Sequence, residues 1–403
     1  MTLQKPRNFT FTLKGNAYQN FEYGLNSNAE ATKKNYRYAL ERYGWYLGSK
    51  LGWTGEHTPD GFIFKDDISD NKNHQIECLL SGWISKLQEG ERLKSSSVRQ
   101  FVAAIKLFYE MNSIALPWKK IKRGIKRTNP HKDRAYTREE IKLLLSHVGL
   151  RLHAIILLLS SSGVRVGALP ALKLGHLTKI EQYSLYMLTI YADEPEQYFT
   201  FTTPEAAEAI DQYLAHRKRA GEAMTPESPL FRDEFNCEIV ESAQAVKPLS
   251  VYDIKNLIRA ATHRAGIRVN KRNLDPTIAG SIRHEVKQVH GFRKYFYTCL
   301  RTSNVDPIIC EMLVGHRTGS IKDGITSLML VYDRPDKSQL LAEYLKAVER
   351  LAIGDEKKLE AQISQLQLQK EQETANADAI AVLSDKLIAV MQELEELKGQ
   401  NKN

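Results

Sequence analysis

The sequence HGFRK, residues 290–294, decides the fold prediction, and two further pieces of the same stretch continue it. These pieces are EMLVGH at 311–316 and VYDRP at 331–335. His290 and Arg293 are three residues apart, so they share one face of a predicted helix. The histidine can exchange a proton near neutral pH. The arginine beside it is a permanent cation, and its forked N–H donors suit phosphate oxygens. Taken alone, a His-x-x-Arg pair is more typical of a protein surface or a helix cap.

A histidine and a tyrosine follow further along this stretch. The apolar residues before Gly315 predict a buried helix that ends at this glycine, with His316 just past the end. Tyr332 follows the apolar residues 328–331, and a phenol in such a context still needs a polar partner. A lone Gly-His is commonly a cap, and a lone tyrosine is usually part of a core. Two histidines, an arginine and a tyrosine could together serve nucleophilic attack on a phosphodiester.

A second arginine comes from SSSGVRVGALP, residues 160–170. The preceding run, 152–159, is almost wholly apolar and predicts a buried helix. Arg165 follows that helix shortly after a glycine, and a charged group so close to a buried segment is rarely left unpaired. A structural ion pair is an alternative that Arg165 alone leaves open.

The order of these residues resembles the tyrosine recombinase (phage-integrase-like) family: Arg165, His290-x-x-Arg293, Gly315-His316 and Tyr332. The motifs SSGVRVGAL, HGFRK and YDRP are similar to those of archaeal members. The connecting pattern of the family is matched by TPEA at 203–206, SPLFR at 228–232 and PLS at 248–250. The match covers residues 137–353 closely and 25–127 loosely. The resemblance implies a mainly α fold with a small β-hairpin or sheet, a two-domain clamp and, with the tail, a C-terminal coiled coil.

The resemblance also implies that DNA is cleaved and rejoined through a covalent 3′-phosphotyrosine. Tyr332 would attack the scissile phosphate, although a phenol with a pKa near 10 needs a base or a cationic pocket. Arg165 and Arg293 would hold the non-bridging oxygens, His290 would exchange the tyrosine proton, and His316 would bond a phosphate oxygen. No cofactor or metal is expected, because the arginines take the place of a metal cation. No Gly-Lys phosphate loop is present in the sequence.

Two departures from the family pattern stand out. The family usually carries a lysine in its β-hairpin that protonates the leaving 5′-oxygen, but no lysine lies between Lys179 and Lys218. Lys179, just before the first predicted strand, is the nearest candidate, and water or another residue is the alternative. The interval from His316 to Tyr332 is also long. Tyr332 remains the preferred nucleophile because YDRP leads into the expected helix, and Tyr295 lies too near His290, as does Tyr297.

Composition agrees with a polyanionic partner. The 403 residues carry a formal charge of +9 and 42% hydrophobic residues, enough for a sizeable core. Four cysteines without a C-x-x-C pair predict reduced thiols. The sequence has neither the ~18 apolar residues of a membrane helix nor the apolar core of a signal peptide. We therefore expect a cytoplasmic protein without a membrane partner.

The chain divides into five predicted segments: an N-terminal arm (1–24), a helical core-binding DNA domain (25–118), a basic linker (119–136), a catalytic domain (137–353) and a coiled-coil tail (354–403). The segment from Lys119 to Arg134 holds eight lysines and arginines against one acid, Asp133. Such a segment is either a soluble tether or a contact with DNA phosphates, which gives affinity without sequence readout. The adjoining phosphate chemistry favours double-stranded DNA.

The tail carries an imperfect 4-3 apolar repeat of eight residues, interrupted at Lys370, Glu373 and Ser384: Leu359, Ile363, Leu366, Ala377, Ile380, Leu387, Met391 and Leu394. Residues 355–403 contain ten acids and six lysines, a charge of −4, which leaves +13 for the rest. We expect the tail to join protomers into a homo-oligomer on DNA, a dimer to a tetramer. A helix that folds back on the catalytic domain is the alternative.

Three functions remain open at this point. The first is a site-specific recombinase or integrase. The second is an enzyme of the same chemistry without recombination, similar to a type IB topoisomerase. The third is a DNA-binding oligomeric protein with weakened catalysis, since the hairpin lysine is missing. The coiled coil fits the first and third better than the second.

Overall fold

The computed structural model describes residues 9–62, 71–127, 133–268, 284–316 and 335–358. The chain divides into two compact units, Met1–His131 and Lys132–Asn403, and the division falls within the segment 119–136. Each unit has a hydrophobic core of its own. Helices dominate the described ranges, and the β-structure is limited to two small sheets.

The first unit is helical, with five described α-helices: α1 Asn16–Leu25, α2 Glu30–Leu51, α3 Asn71–Ser85, α4 Ser95–Met111 and α5 Trp118–Arg123. Strands β1 (Phe9–Phe11) and β2 (Gly55–His57) pair in parallel. The described residues of the predicted N-terminal arm, 9–24, form β1 and most of α1. Phe11 and Phe21 are buried in the core of the unit, and removing their aromatic surface from water stabilises the folded state.

The second unit holds the remaining described helices: α6 Arg138–Leu145, α7 Leu150–Ser162, α8 Pro204–Arg219, α9 Val240–Gln244, α10 Val251–Arg264, α11 His290–Thr302, α12 Pro307–Leu313, α13 Lys337–Leu345 and α14 Val348–Leu351. A capping box of Thr137 with Glu140 is present at the start of α6. Helix α7 is the central element. Its residues from Ala154 to Ser162 are buried, and it packs against α8 and α11.

The sheet of the second unit contains the predicted hairpin and one strand more. Strands β4 (Leu185–Ile190) and β5 (Tyr198–Phe201) are antiparallel and are joined by residues 191–197. Strand β3 (Leu177–Ile180) pairs antiparallel with β4, so Lys179 lies inside the sheet rather than before it. A strand of four residues is too short to give a clear alternation in sequence, and its pairing is set by β4.

No described helix is both long enough and apolar enough to span a membrane.

Candidate active site

Two arginines hold the turn that follows α12. Arg293, on α11, donates from Nη1 to the carbonyl oxygen of Gly163 at 2.6 Å and from Nη2 to that of Val314. Arg165 donates from Nη1 to the carbonyl oxygen of Gly315 at 3.0 Å. Both guanidinium groups are therefore oriented by backbone carbonyls, and each keeps further N–H donors for another acceptor.

The two guanidinium groups carry positive charge without a carboxylate against either one among the described residues. Arg293 is only 9% exposed. Its burial and the nearby Arg165 lower the pKa of the Arg293 guanidinium from its ordinary value. Buried charges are normally paired because their desolvation is costly. Among the residues that the structure describes, Arg165 bonds the carbonyl oxygen of Gly315 and forms no structural ion pair.

A glycine in the left-handed conformation precedes Arg165, and another precedes His316. Gly163 ends α7 with φ 60°, and its amide donates to the carbonyl of Leu159. Gly315 follows α12 with φ 64°, and a β-carbon there would lie 2.4 Å from the ring of Tyr198. Both the backbone conformation and the close approach require glycine. The predicted helix end at Gly315, with His316 just beyond, is confirmed.

His290 stands at the first position of α11 and remains partly exposed. Partial burial of the ring, followed by the charges of Lys287, Lys294 and Arg293, lowers the pKa of His290, while Asp133 opposes this shift. A neutral imidazole at physiological pH can accept a proton. The described charges around His290 therefore favour a proton acceptor.

His316 is held by a carboxylate that the sequence interpretation missed. Its Nδ1 pairs with Oε2 of Glu311. The other oxygen of Glu311, Oε1, accepts a hydrogen bond from the hydroxyl of Tyr297 at 2.6 Å. The spacing was available in sequence, because a Gly-terminated helix brings the residue after the glycine back to the residue five positions earlier.

Two cavities bring the four described candidates together. One, of about 460 Å³, is lined by Arg165, His290, Arg293 and His316. The other, of about 360 Å³, is lined by His290, Arg293 and His316 together with Tyr297. The fifth candidate, Tyr332, lies outside the described residues.

The sequence pattern does not single out the lysines of this region. Lys287 and Lys294 each lie 2.9 Å from Oδ2 of Asp133, and these two contacts hold the pKa of that carboxyl well below its usual range. Lys287 lines the larger cavity and Lys294 the smaller one. Lys179 is elsewhere engaged, because its ammonium contacts Asp211 at 3.1 Å. Lys179 is not among the described residues that line either cavity.

The hydroxyls of the two rejected tyrosines are both occupied. Tyr295 donates to the carbonyl oxygen of Arg350 at 2.9 Å, and burial raises its pKa well above the ordinary value. Tyr297 donates to Glu311. A buried or donated hydroxyl is a poor nucleophile at neutral pH.

Known structures share the fold of this chain, whereas neither a protein-family model nor a curated protein sequence matches it. The integrase of transposon Tn1549, in complex with a circular intermediate DNA, aligns with a TM-score of 0.51 and 15% identity. That alignment covers 84% of this chain and all of the integrase chain. XerA recombinase (TM-score 0.35, 18% identity, 81% and 96% coverage) and the integrase of mycobacterium phage Brujita (0.37, 15%, 85% and 96%) are also similar.

The similarity to the Tn1549 integrase concerns the fold alone, since the identity is 15%. The mainly helical second unit with its three-stranded sheet contains the arginine and histidine cluster, and the alignment with the Tn1549 integrase extends over most of both chains. The chain therefore shares the fold of the Tn1549 transposon integrase.

Proposed function

We propose that this protein is a site-specific DNA recombinase or integrase that cleaves and rejoins DNA strands through a covalent 3′-phosphotyrosine. One observation carries the proposal: Arg165 and Arg293 present adjacent guanidinium groups, with no described carboxylate against them, beside His290 and His316 in one cavity. A phosphodiester supplies the anion that such a pair lacks, and it is the substrate on which all four side chains have a role.

In this mechanism Tyr332 attacks the scissile phosphorus and forms a P–O bond while the bond from phosphorus to the 5′-oxygen breaks. The departing 5′-oxygen takes a proton from water, in place of the missing hairpin lysine, and leaves as a 5′-hydroxyl. His290 accepts the phenolic proton, and the arginines bind the non-bridging oxygens as charge develops. His316 donates a hydrogen bond to one of those oxygens. The reverse attack by a 5′-hydroxyl restores the diester, so no external energy source is needed.

Unit 1 and the basic segment are proposed to bind double-stranded DNA. Lys120 and Lys126 of that segment pair with Glu77 and Glu89. Exposed cations without an ion pair to a described residue remain on and after α5, namely Lys119, Lys122, Arg123 and Arg127. Such cations are suited to phosphates. We propose the five segments that the sequence predicts, with one change: residues 9–24 are grouped with the DNA-binding unit.

The remaining parts of the proposal concern source and assembly. The similarity of the motifs SSGVRVGAL, HGFRK and YDRP to those of archaeal members supports an archaeal-type integrase. DNA integration is typical of mobile genetic elements, and a DNA substrate supports a cytoplasmic location. The tail, beyond residue 358, lies outside the described residues, and we propose that it joins protomers as a coiled coil. Recombination joins two duplexes, so it needs several protomers on the DNA.

A covalent selection tests the proposed function and can begin before any target site is defined. The protein is incubated with a library of nicked random-sequence duplexes, and DNA that stays bound in denaturing detergent is sequenced and rebuilt as a defined substrate. The proposal expects enriched sequences with a free 5′-hydroxyl at the cut. Relaxation of supercoiled plasmids that lack the enriched sequence would favour the topoisomerase-like alternative. Binding without any adduct would favour the non-catalytic alternative.

The rate of adduct formation should rise with pH through a midpoint below the ordinary histidine pKa of about 6.5. His290 must be neutral to accept the tyrosine proton, and its pKa is lowered. Asp133→Asn removes the charge that opposes this shift, so the midpoint should move to lower pH. Lys294→Gln should move it to higher pH. Single-turnover rates between about pH 5 and 8 give both midpoints.

Lys179→Gln is the matched control for this pH profile, because Lys179 is bound by Asp211 outside the described cavity walls. Its midpoint should equal that of the wild type. A wild-type midpoint at or above the ordinary histidine value would contradict the role given to His290, as would an unchanged midpoint in both cavity variants.

Removal of the tail after Lys358 should leave adduct formation within about twofold of the intact chain and abolish stable self-association. This end point keeps Asp355, which pairs with Arg138 of α6 at 2.8 Å, and Lys357, which pairs with Glu208 of α8 at 3.0 Å. The truncated protein therefore retains these two ion pairs, which join residues 355–358 to helices of the second unit. The acidic tail is a poor phosphate binder, whereas its apolar repeat needs a partner helix. Sedimentation at matched concentrations measures the mass distribution.

A full-length double variant, Ile363→Glu with Leu387→Glu, separates loss of the repeat from loss of the segment. It should sediment like the truncated protein and exchange strands poorly. Equal masses and equal recombination in all three proteins would show that the tail does not assemble protomers.

A further inference from the structure

We propose that Glu311 is a positioning residue that sets His316 for hydrogen bonding to the scissile phosphate, with Tyr297 holding Glu311 in turn. The proposal rests on the proposed function, because His316 acts there on a phosphate oxygen. Tyr297 and Glu311 thereby gain a part in catalysis without contact to the reacting atoms. The three side chains belong to α11, to α12 and to the turn after α12.

The backbone brings Glu311 and His316 together first. The amide of Gly315 donates to the carbonyl of Met312 at 2.8 Å, and the amide of His316 donates to the carbonyl of Glu311 at 2.9 Å. This pair of bonds is the Schellman arrangement, in which the second residue after the helix is bonded back to its third-last residue. Arg165 and Arg293 hold the carbonyls of the same turn. The base of the His316 side chain is therefore fixed before its ring makes any contact.

The ring is then fixed by the carboxylate. Glu311 pairs through Oε2 with Nδ1 of His316, which leaves Nε2 as the ring nitrogen available to another group. A carboxylate only accepts, so the N–H of Nδ1 points to Glu311, and Nε2 is the ring nitrogen that is free to bond a phosphate oxygen. Arg165, Arg293 and His290 line the same cavity as His316.

Tyr297 completes the arrangement. Its hydroxyl donates to Oε1 of Glu311 at 2.6 Å, so the carboxylate is bonded at both oxygens. Burial, together with Glu311, raises the pKa of Tyr297 to about 12. The phenol thus remains a donor throughout the physiological range. A carboxylate with both oxygens engaged has little rotational freedom, and the ring of His316 shares that restriction.

A purely structural role for Glu311 is the competing explanation, because the Tyr297–Glu311 bond also ties α11 to α12. Glu343 offers a matched control. It lies on α13, accepts a hydrogen bond at 3.0 Å from the amide of Asp306, the cap of α12, and pairs with Lys346. Glu343→Gln therefore weakens a contact that holds the start of α12, at a residue that lines neither cavity.

The experiment is a double-mutant cycle on the full-length protein. Single-turnover rates of adduct formation are measured for the wild type, Glu311→Gln, His316→Gln and the double variant, on the substrate defined by the covalent selection. His316→Gln keeps an N–H donor but has no Nδ1. We expect Glu311→Gln alone to slow the reaction by roughly tenfold to a hundredfold, as is usual for residues that orient a functional histidine. In the His316→Gln background it should change the rate by less than about twofold.

Rescue by a second carboxylate is the other readout and does not depend on the activity of His316→Gln. Glu311→Asp keeps the negative charge beside His316, whereas Glu311→Gln keeps only the size of the side chain, so Glu311→Asp should slow the reaction less. Tyr297→Phe should slow the reaction less than Glu311→Gln and add nothing to it. Glu343→Gln should leave the rate unchanged.

Four outcomes would overturn the proposal: a wild-type rate in Glu311→Gln, an equal slowing by Glu311→Gln with and without His316, a rate of Glu311→Asp as low as that of Glu311→Gln, or a matching defect in Glu343→Gln. The absence of any adduct from the wild type is a different result. It would reject the proposed function itself, and the positioning role would fall with it.

Discussion

Arg293→Ala and Arg165→Ala are each expected to lower the single-turnover rate of adduct formation by about a hundredfold to a thousandfold on DNA-saturated enzyme. Each change removes donors aimed at the oxygens on which charge develops, and the loss of one such donor has this magnitude in other enzymes. Arg293 should show the larger effect, since it is almost fully buried and donates to two carbonyls, of Gly163 and Val314.

Lysine substitutions should restore little at either position. A lysine ammonium is a single point, so it cannot bond both Gly163 and Val314 as the fork of Arg293 does. Arg151→Ala is the matched control, because Arg151 lies on α7, donates to the carbonyl of Arg232 at 3.1 Å and lines neither cavity. The thermal unfolding temperatures of all variants show whether a variant has lost the structure of the turn after α12 or only its binding of the transition state. Near-normal cleavage by either alanine variant would remove that arginine from the site.

Tyr332→Phe is expected to abolish the adduct and to leave DNA affinity unchanged within about twofold. The substitution removes only the hydroxyl that forms the covalent bond, whereas affinity comes from cationic contacts with phosphates. Gel-shift titration and denaturing electrophoresis of the same samples measure the two properties. Tyr295→Phe serves as the control, since its hydroxyl is bonded to the carbonyl of Arg350. Adduct from Tyr332→Phe would show that another tyrosine is the nucleophile.

Local chemistry allowed much of the described site to be predicted. The spacing of His290 and Arg293 indicates one helix face, and both side chains do line the same cavity. The glycines before Arg165 and His316 indicate helix ends, and both adopt the left-handed conformation that ends a helix. Such signals survive in sequence because a positive φ or a three-residue spacing depends on a few neighbouring residues.

Contacts between distant residues could not be predicted in the same way. Strand β3 exists through its pairing with β4, and Phe11 is buried through packing on helices that follow much later in the chain. The buried ion cluster of Glu222 with Arg217 and Arg232 joins α8 to two loops. Each of these features depends on which surfaces tertiary packing brings together, and no local pattern encodes that choice.

Asp133 illustrates the same limit within the site. In sequence it is one acid among eight cations, and the pattern indicates only a residue of a basic linker. In the structure it contacts Lys287 and Lys294 on either side of His290. The carboxylate thereby offsets the positive charges around His290 from more than a hundred residues away in the sequence. Only the fold shows that a residue of the basic linker lies beside the candidate site.

The most direct test of the central claim is to identify the amino acid that carries the DNA. The adduct on the selected nicked duplex is denatured, digested with nuclease and trypsin, and analysed by mass spectrometry. Trypsin should release residues 323–337 as one peptide, because Arg334 precedes Pro335, and Tyr332 is its single tyrosine. The account predicts a nucleotide linked through its 3′-phosphate to Tyr332. A nucleotide on another residue, or a 5′-phosphate linkage, would contradict it.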